Sequence, residues 1–526
     1  MSDFIASAVT GDGGMPPIPS TYYENFLESL AQIFSKLLTD QETETVISSI
    51  RTFQEKLKRL SSHNLNRLNL DITAAEKTRP HLCRHEGKTC TQNCTRSFIK
   101  TFTVAFVVKY LIGILPTLLS GKILTRPGVL KQMAGRDTAS FALFLSTFIS
   151  SYKGILCAMR HFRKTSDRKS DRLNAFVAGS LAGLALAFDK DKQRRQSIML
   201  YLFTRALQFS GAWLMKQWAL KRNEDHPGEK KWDDHLAKWI ARFSGVGVMM
   251  IANAQIIYAF LFNHDTLPRS YFAFLLTHSG FKKNFGGMAA RIAEAVGITV
   301  NHLVEDEVNI KIPEGQSSRD FISQFVSPNI GSAIHPKMNH KYIMCAIQHP
   351  LNDNCATDKF GLFRDELLRS LKLYVPLNVI MLAVFRSKQL TVDPKTVMQK
   401  FTISCLRSAL FLTMYVVMGL STPCWLRRLT GTDKPWIYAA TGAVAGSMVF
   451  IEAPGRQLEL GLYCLPRALE SLWKTLIKNG QVKNIPHGDI LLFMASMGTL
   501  MTLYQNDKDT ISSHYLSVMT RFFGQN

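Results

Sequence analysis

The chain has 526 residues, of which 46% are hydrophobic, with a formal net charge of +23 and nine cysteines. This length admits several soluble domains or one large membrane bundle, and nine scattered cysteines do not make a disulfide framework. Basic residues collect between apolar blocks rather than in aromatic-interleaved runs, which argues against a nucleic-acid groove and makes anionic lipid the natural partner of the charge.

Residues 1–20 contain no basic segment leading into an apolar run, so no cleaved signal is expected and an internal span must start insertion. Residues 24–60 read as two amphipathic helices. Phe26, Leu27, Leu30, Phe34, Leu37 and Leu38 share one face, and Val46, Ile47, Ile50, Phe53, Leu57 and Leu60 share another. The expectation is a soluble helical segment over residues 1–78, a packed hairpin, with a membrane-surface helix or a contact for a protein partner as the alternatives. Next come Cys83, His85, Cys90 and Cys94, thiols and an imidazole in one short stretch. Zinc would need all four together, and a disulfide or unlinked residues are the alternatives. Further on, Cys345, His349 and Cys355 offer one thiol fewer, so a duplicated metal site is not expected.

Apolar blocks fill residues 98–119, 139–159, 175–188, 196–215 and 243–262, then, after a polar stretch, 371–385, 408–426, 436–451, 458–477 and 490–504. The block from Phe243 to Phe262 carries no Asp, Glu, Lys or Arg, and a helix of about twenty residues crosses a hydrocarbon core of roughly 30 Å. The two sets of blocks are copies. Pro127, the Ala142-Leu143-Phe144-Leu145 string, Cys157 and Arg160 recur with identical spacing as Pro394, Ala409-Leu410-Phe411-Leu412, Cys424 and Arg427. Gly179 and Gly183 recur as Gly442 and Gly446, Tyr201 and Arg205 as Tyr463 and Arg467, and Asp265 with Tyr271 as Asp509 with Tyr515. The expected fold is therefore all-α: a polytopic membrane bundle of two repeated five-helix halves, over residues 79–275 and 341–526, joined by a polar linker over 276–340. If all five blocks of each half cross, the odd number inverts the second copy.

Glycines four apart let another backbone approach closely, so Gly179, Gly183, Gly442 and Gly446 are read as helix-packing positions. Arg205 and Arg467 each lie inside an apolar block, where a charge costs at least a few kcal/mol unless compensated. Tyr201 and Tyr463 lie one turn before them and Glu470 one turn after Arg467. The five residues form either an internal polar network or a site for an anionic small molecule or lipid headgroup. No metalloprotease, nucleophile-elbow or phosphate-loop signature is present. An enzyme is therefore not expected, and His487 with Asp489 is the one pair an embedded lipid-modifying enzyme could use.

These residues resemble the transmembrane protein 135 family. Cys83, His85, Cys90 and Cys94, then Ser151-Tyr152-Lys153-Gly154 with Cys157 and Arg160, then Gly179 and Gly183, are similar to its cysteine-rich half. Asp365 to Pro376, Tyr463 with Arg467 to Glu470, and His487 to Phe493 resemble its other half, in the opposite order from the animal members. The paired-glycine helices are also similar to the mitochondrial inner-membrane translocase channel family. The resemblance implies a non-enzymatic, multi-pass protein of peroxisomal or mitochondrial membranes, tied to lipid or metabolite transport and to mitochondrial fission. It implies no catalytic residue and no obligatory cofactor. Membrane lipids are the expected partners, and a membrane-anchored scaffold is the remaining alternative.

Overall fold

A computed structural model describes residues 89–119, 135–163, 168–225, 232–281, 286–385, 390 and 392–524. The expected amphipathic segment over 1–78, with Cys83 and His85, lies outside the described residues. The described chain is helical, with one isolated antiparallel bridge between Lys311 and Tyr342. In chain order the helices are α1 (Cys90–Leu119), α2 (Arg136–Arg163), α3 (Arg168–Ala182), α4 (Lys192–Asp225), α5 (Trp232–Phe262), α6 (Arg269–His278), α7 (Ala289–Glu305) and α8 (Ser318–Phe325). They continue as α9 (Pro328–Gly331), α10 (Ile343–Gln348), α11 (Cys355–Phe385), α12 (Pro394–Thr430), α13 (Pro435–Ser447), α14 (Pro454–Lys478), α15 (Gly488–Asn506) and α16 (Ser513–Phe523). Among the described residues four helices, α1, α2, α5 and α12, are long and apolar enough to cross a membrane, and Pro435–Ile451 forms a shorter apolar segment. The protein is an integral membrane protein.

Local chemistry sets the ends of these helices. The Asp393 carboxylate accepts the Thr396 N–H at 3.3 Å and Pro394 occupies the first turn of α12, a start that uses up orphan donors. Gly431 closes the helix at φ 68°, its N–H reaching the Arg427 carbonyl at 2.9 Å, a left-handed cap open to glycine at no steric cost. Pro435 and Pro454 likewise begin α13 and α14.

The described residues fall into two compact units. One is built from α5 to α14, the other from α1 to α4 with α15 and α16. These are not the two sequence halves. Helix α5, from the last apolar block of the first set, packs on α13 and α14, whereas α15, from the last apolar block of the second set, packs on α3 and α4. Glycine explains the fit. A Cβ on Gly442 would stand 2.1 Å from the Asn253 carbonyl oxygen of α5, and one on Gly446 2.7 Å from that of Met249. In the other unit a Cβ on Gly179 would stand 2.7 Å from the Met497 carbonyl oxygen of α15, and one on Gly183 2.9 Å from Met494 Cα. Without side chains at these points, backbones meet and gain dispersion contacts that lipid does not supply.

The stretch over 276–340 folds as well. Helix α7 turns Ile292, Val296, Val300 and Leu303 inward, each one turn from the next, and Ile322, Ile330 and Ile334 join the same core. Ile343, Met344, Ala346 and Ile347 of α10 are buried in the same core, against α7 and α8.

Candidate metal centre

Four ligand-type side chains converge in the unit built from α5 to α14. Cys345 and His349 come from α10 and the residue after it, Cys355 from the first position of α11, and Cys424 from the interior of α12. Their ligating atoms all lie within 4.8 Å of one another. Cys345 Sγ and Cys355 Sγ are 4.0 Å apart, and Cys355 Sγ lies 3.4 Å from His349 Nε2. A tetrahedral zinc with Zn–S near 2.3 Å and Zn–N near 2.0 Å puts its ligand atoms roughly 3.5–3.8 Å apart, so the cluster closes on zinc with small side-chain shifts. Three thiols and one imidazole are a complete structural donor set, leaving no open position for substrate.

The surroundings complete that pattern. His349 Nδ1–H donates to the Asn352 carbonyl at 2.7 Å, which fixes the tautomer and leaves Nε2 as the ligand atom, the support that metal-binding histidines usually have. Although burial opposes charging of His349, the hydrogen bonds its ring can donate to the sulfurs of Cys355 and Cys424 lift its imidazole to about 9. Beside it, His340 is packed edge-on to His349 with ring centroids 5.2 Å apart, and burial, aided by His349, pushes it down to about 4.

Two arginines offset the thiolate charge. Arg427 donates from Nη1 to Cys345 Sγ at 3.5 Å, and Arg428 donates to Cys355 Sγ at 3.3 Å. Arg427 is wholly buried and pairs through Nε with Asp433, whose other oxygen accepts from Tyr438 at 3.1 Å. The loop after α12 is thereby tied to the helix that carries Cys424.

Of the cluster foreseen before the first span, Cys90 and Cys94 stand in the first turns of α1, while Cys83 and His85 lie outside the described residues. The expectation of an unduplicated, three-ligand set at Cys345 is corrected by Cys424. This fourth ligand sits far down the chain in an apolar block, where spacing arguments had used it only as a landmark.

The arginine sites have equivalent geometry in the two units. Arg205 lies between the rings of Tyr201 and Tyr515, 5.3 Å and 4.4 Å from their centroids, and donates to Gln208 at 2.9 Å. Arg467 lies between Tyr463 and Tyr271, at 3.9 Å and 5.4 Å, and donates to the Tyr463 carbonyl at 2.6 Å. Each tyrosine pair supplies cation–π attraction to a charge that would otherwise be costly among apolar helices. Glu470 receives Lys474 at 2.6 Å. Other equivalent pairs recur: Arg160 with Asp171 matches Arg427 with Asp433, Arg194 with Asp189 matches Arg456 with Glu452, and Lys216 with Asp509 matches Lys478 with Asp265. Asp489 is held by Arg195 at 3.0 Å, and His487 starts α15 in a left-handed conformation.

Residues 342–477 match the family model described as the N-terminal cysteine-rich region of Transmembrane protein 135. The match supports assignment to the transmembrane protein 135 family, as the sequence resemblance implied, and it encloses all four residues of the metal cluster. It places the cysteine-rich region on the second copy rather than on residues 83–183, where the resemblance had put it. No solved structure matches the chain.

Proposed function

We propose that this chain is a non-enzymatic, multi-pass protein of an organellar membrane, peroxisomal or mitochondrial, that supports lipid or metabolite movement. In this reading a structural zinc locks its cysteine-rich segment onto the helix bundle. One observation carries the proposal: the Cys345, His349, Cys355 and Cys424 donor atoms lie within 4.8 Å of each other, with His349 already oriented by a backbone carbonyl. A closed Cys3His set favours a stapling role over catalysis. The staple joins α10, α11 and α12, and so fixes the layer of helices that closes this unit.

The lipid reading draws support from the apolar exterior of the candidate spans, such as Ile99 and Ile112 of α1 and Ile251 of α5. Roles in organelle dynamics rest on the family resemblance. The test is metal analysis of purified full-length protein against its Cys424→Ser variant. About one zinc per chain attributable to Cys424 supports the proposal, and equal metal content in the two overturns it.

A further inference from the structure

Three of the four donors of the metal cluster are sealed in: Cys345, His349 and Cys424 are 3%, 1% and 6% exposed. Cys355 is the exception. It stands at the first position of α11 and is partly exposed, and Arg428, itself exposed, reaches its Sγ at 3.3 Å. A small solute can therefore come to this sulfur from outside while its companions stay covered. Cys424 is withdrawn, its thiol directed at the Gln348 side-chain oxygen at 3.7 Å and the Leu420 carbonyl at 3.8 Å. Cys345 Sγ lies 4.0 Å from Cys355 Sγ, so side-chain rotation that closes the gap by about 2 Å would join them.

We propose that Cys355 is an oxidation site for hydroperoxides, and that its oxidation to a disulfide with Cys345 releases α12 from the cysteine segment. The proposal rests on the zinc staple above. In that staple the sulfurs are thiolates, the nucleophilic form. The Cys355 thiolate attacks the terminal oxygen of the hydroperoxide. A sulfur–oxygen bond forms, the oxygen–oxygen bond breaks, and hydroxide or alkoxide leaves near the Arg428 guanidinium and is protonated by water. The Cys345 thiolate then attacks the sulfenic acid sulfur; the disulfide forms, the sulfur–oxygen bond breaks and a second hydroxide leaves. Together the two sulfurs give up two electrons, and the hydroperoxide is reduced to water and a second water or an alcohol.

The outcome is selective. His349 and Cys424 alone remain as ligands, too few for a closed structural site. The disulfide keeps α10 tied to α11, whereas Cys424, the ligand contributed by α12, is let go. Arg427 loses the thiolate that its Nη1 touches but keeps Asp433. Oxidation thus undoes the joint between the cysteine segment and a membrane span without breaking the ion pair beside it.

The test uses full-length protein in detergent, carrying Cys83→Ser and Cys90→Ser, treated with a small excess of hydrogen peroxide. Zinc is followed with a chromogenic chelator, and peptides are mapped by mass spectrometry after maleimide blocking. About one zinc per chain should be released, with the peptides of Cys345 and Cys355 joined and Cys424 blocked by maleimide, and dithiothreitol with added zinc should restore the starting state. Cys355→His, which keeps four ligands, should release zinc at least about tenfold more slowly. Zinc that stays bound under peroxide, or leaves with Cys424 in the disulfide or with sulfinic acid as the sole product, overturns the proposal while the staple stands. Release from Cys355→His as fast as from its parent overturns it too. Protein purified without zinc removes the staple and the proposal together.

Discussion

Gly442→Ala isolates the backbone contact that brings α5 against α13. The added Cβ would lie 2.1 Å from the Asn253 carbonyl oxygen, 2.7 Å from its carbonyl carbon and 2.8 Å from Ala254 Cα. An ordinary carbon–oxygen contact is about 3.3 Å, so the helices must part by roughly 1 Å along the contact. All three atoms are backbone atoms of a helix, and none can swing aside as a side chain would. Overpacking of this kind costs about 1–3 kcal/mol and occasionally more, and the separation also weakens dispersion along the interface. The upper end of that range is expected. Gly247→Ala, on α5 with nothing within 4 Å of its added Cβ, should be neutral or stabilising by up to about 1 kcal/mol. Both variants can be titrated with denaturant in detergent micelles and followed by circular dichroism. Equal stability of the two would refute the claim that glycine is required for this approach.

Other substitutions probe separate parts of the account. Arg427→Leu leaves Asp433 buried without its charge partner and should destabilise by about 3–5 kcal/mol, read as lost expression and a lower thermal midpoint; a silent change would remove the pair from the account. Arg467→Leu, which discards the charge held between Tyr463 and Tyr271, should lower stability by about 1–2 kcal/mol if the sandwich is structural, and unchanged unfolding would argue against that. Acid should release metal, because the thiolates and His349 must be deprotonated to bind it. Zinc retained by dialysed protein should therefore fall as pH is lowered and return on neutralisation, and retention independent of pH would contradict thiolate and imidazole ligation.

Much of the all-helical character is legible in sequence because membrane helices declare themselves by apolar length, and the matched landmarks drew attention to the residues they contain. Arg205 and Arg467 stand out for that reason, as charges inside apolar blocks. Their second aromatic partners, Tyr515 and Tyr271, were visible only as matched residues beyond the fifth span. Spacing along the chain does not reveal which helix packs beside which, and here α5 packs on α13 and α14 while α15 packs on α3 and α4. Cys424 was hidden for a similar reason. A cysteine in an apolar helix reads as a small core residue, although its place one turn before Arg427, repeated as Cys157 before Arg160, was a usable signal. Over 276–340 the charged and turn residues dominate the average, and they mask the helical spacing of Ile292, Val296, Val300 and Leu303 on α7.

The metal centre is the central claim, and zinc K-edge X-ray absorption tests it most directly. The sample should carry Cys83→Ser and Cys90→Ser, so that only the cluster at Cys345, His349, Cys355 and Cys424 can bind. The account requires one zinc per chain with three sulfur neighbours near 2.3 Å and one nitrogen near 2.0 Å, lost on adding Cys424→Ser. A zinc-free protein, or a first shell of oxygen and nitrogen alone, would contradict it.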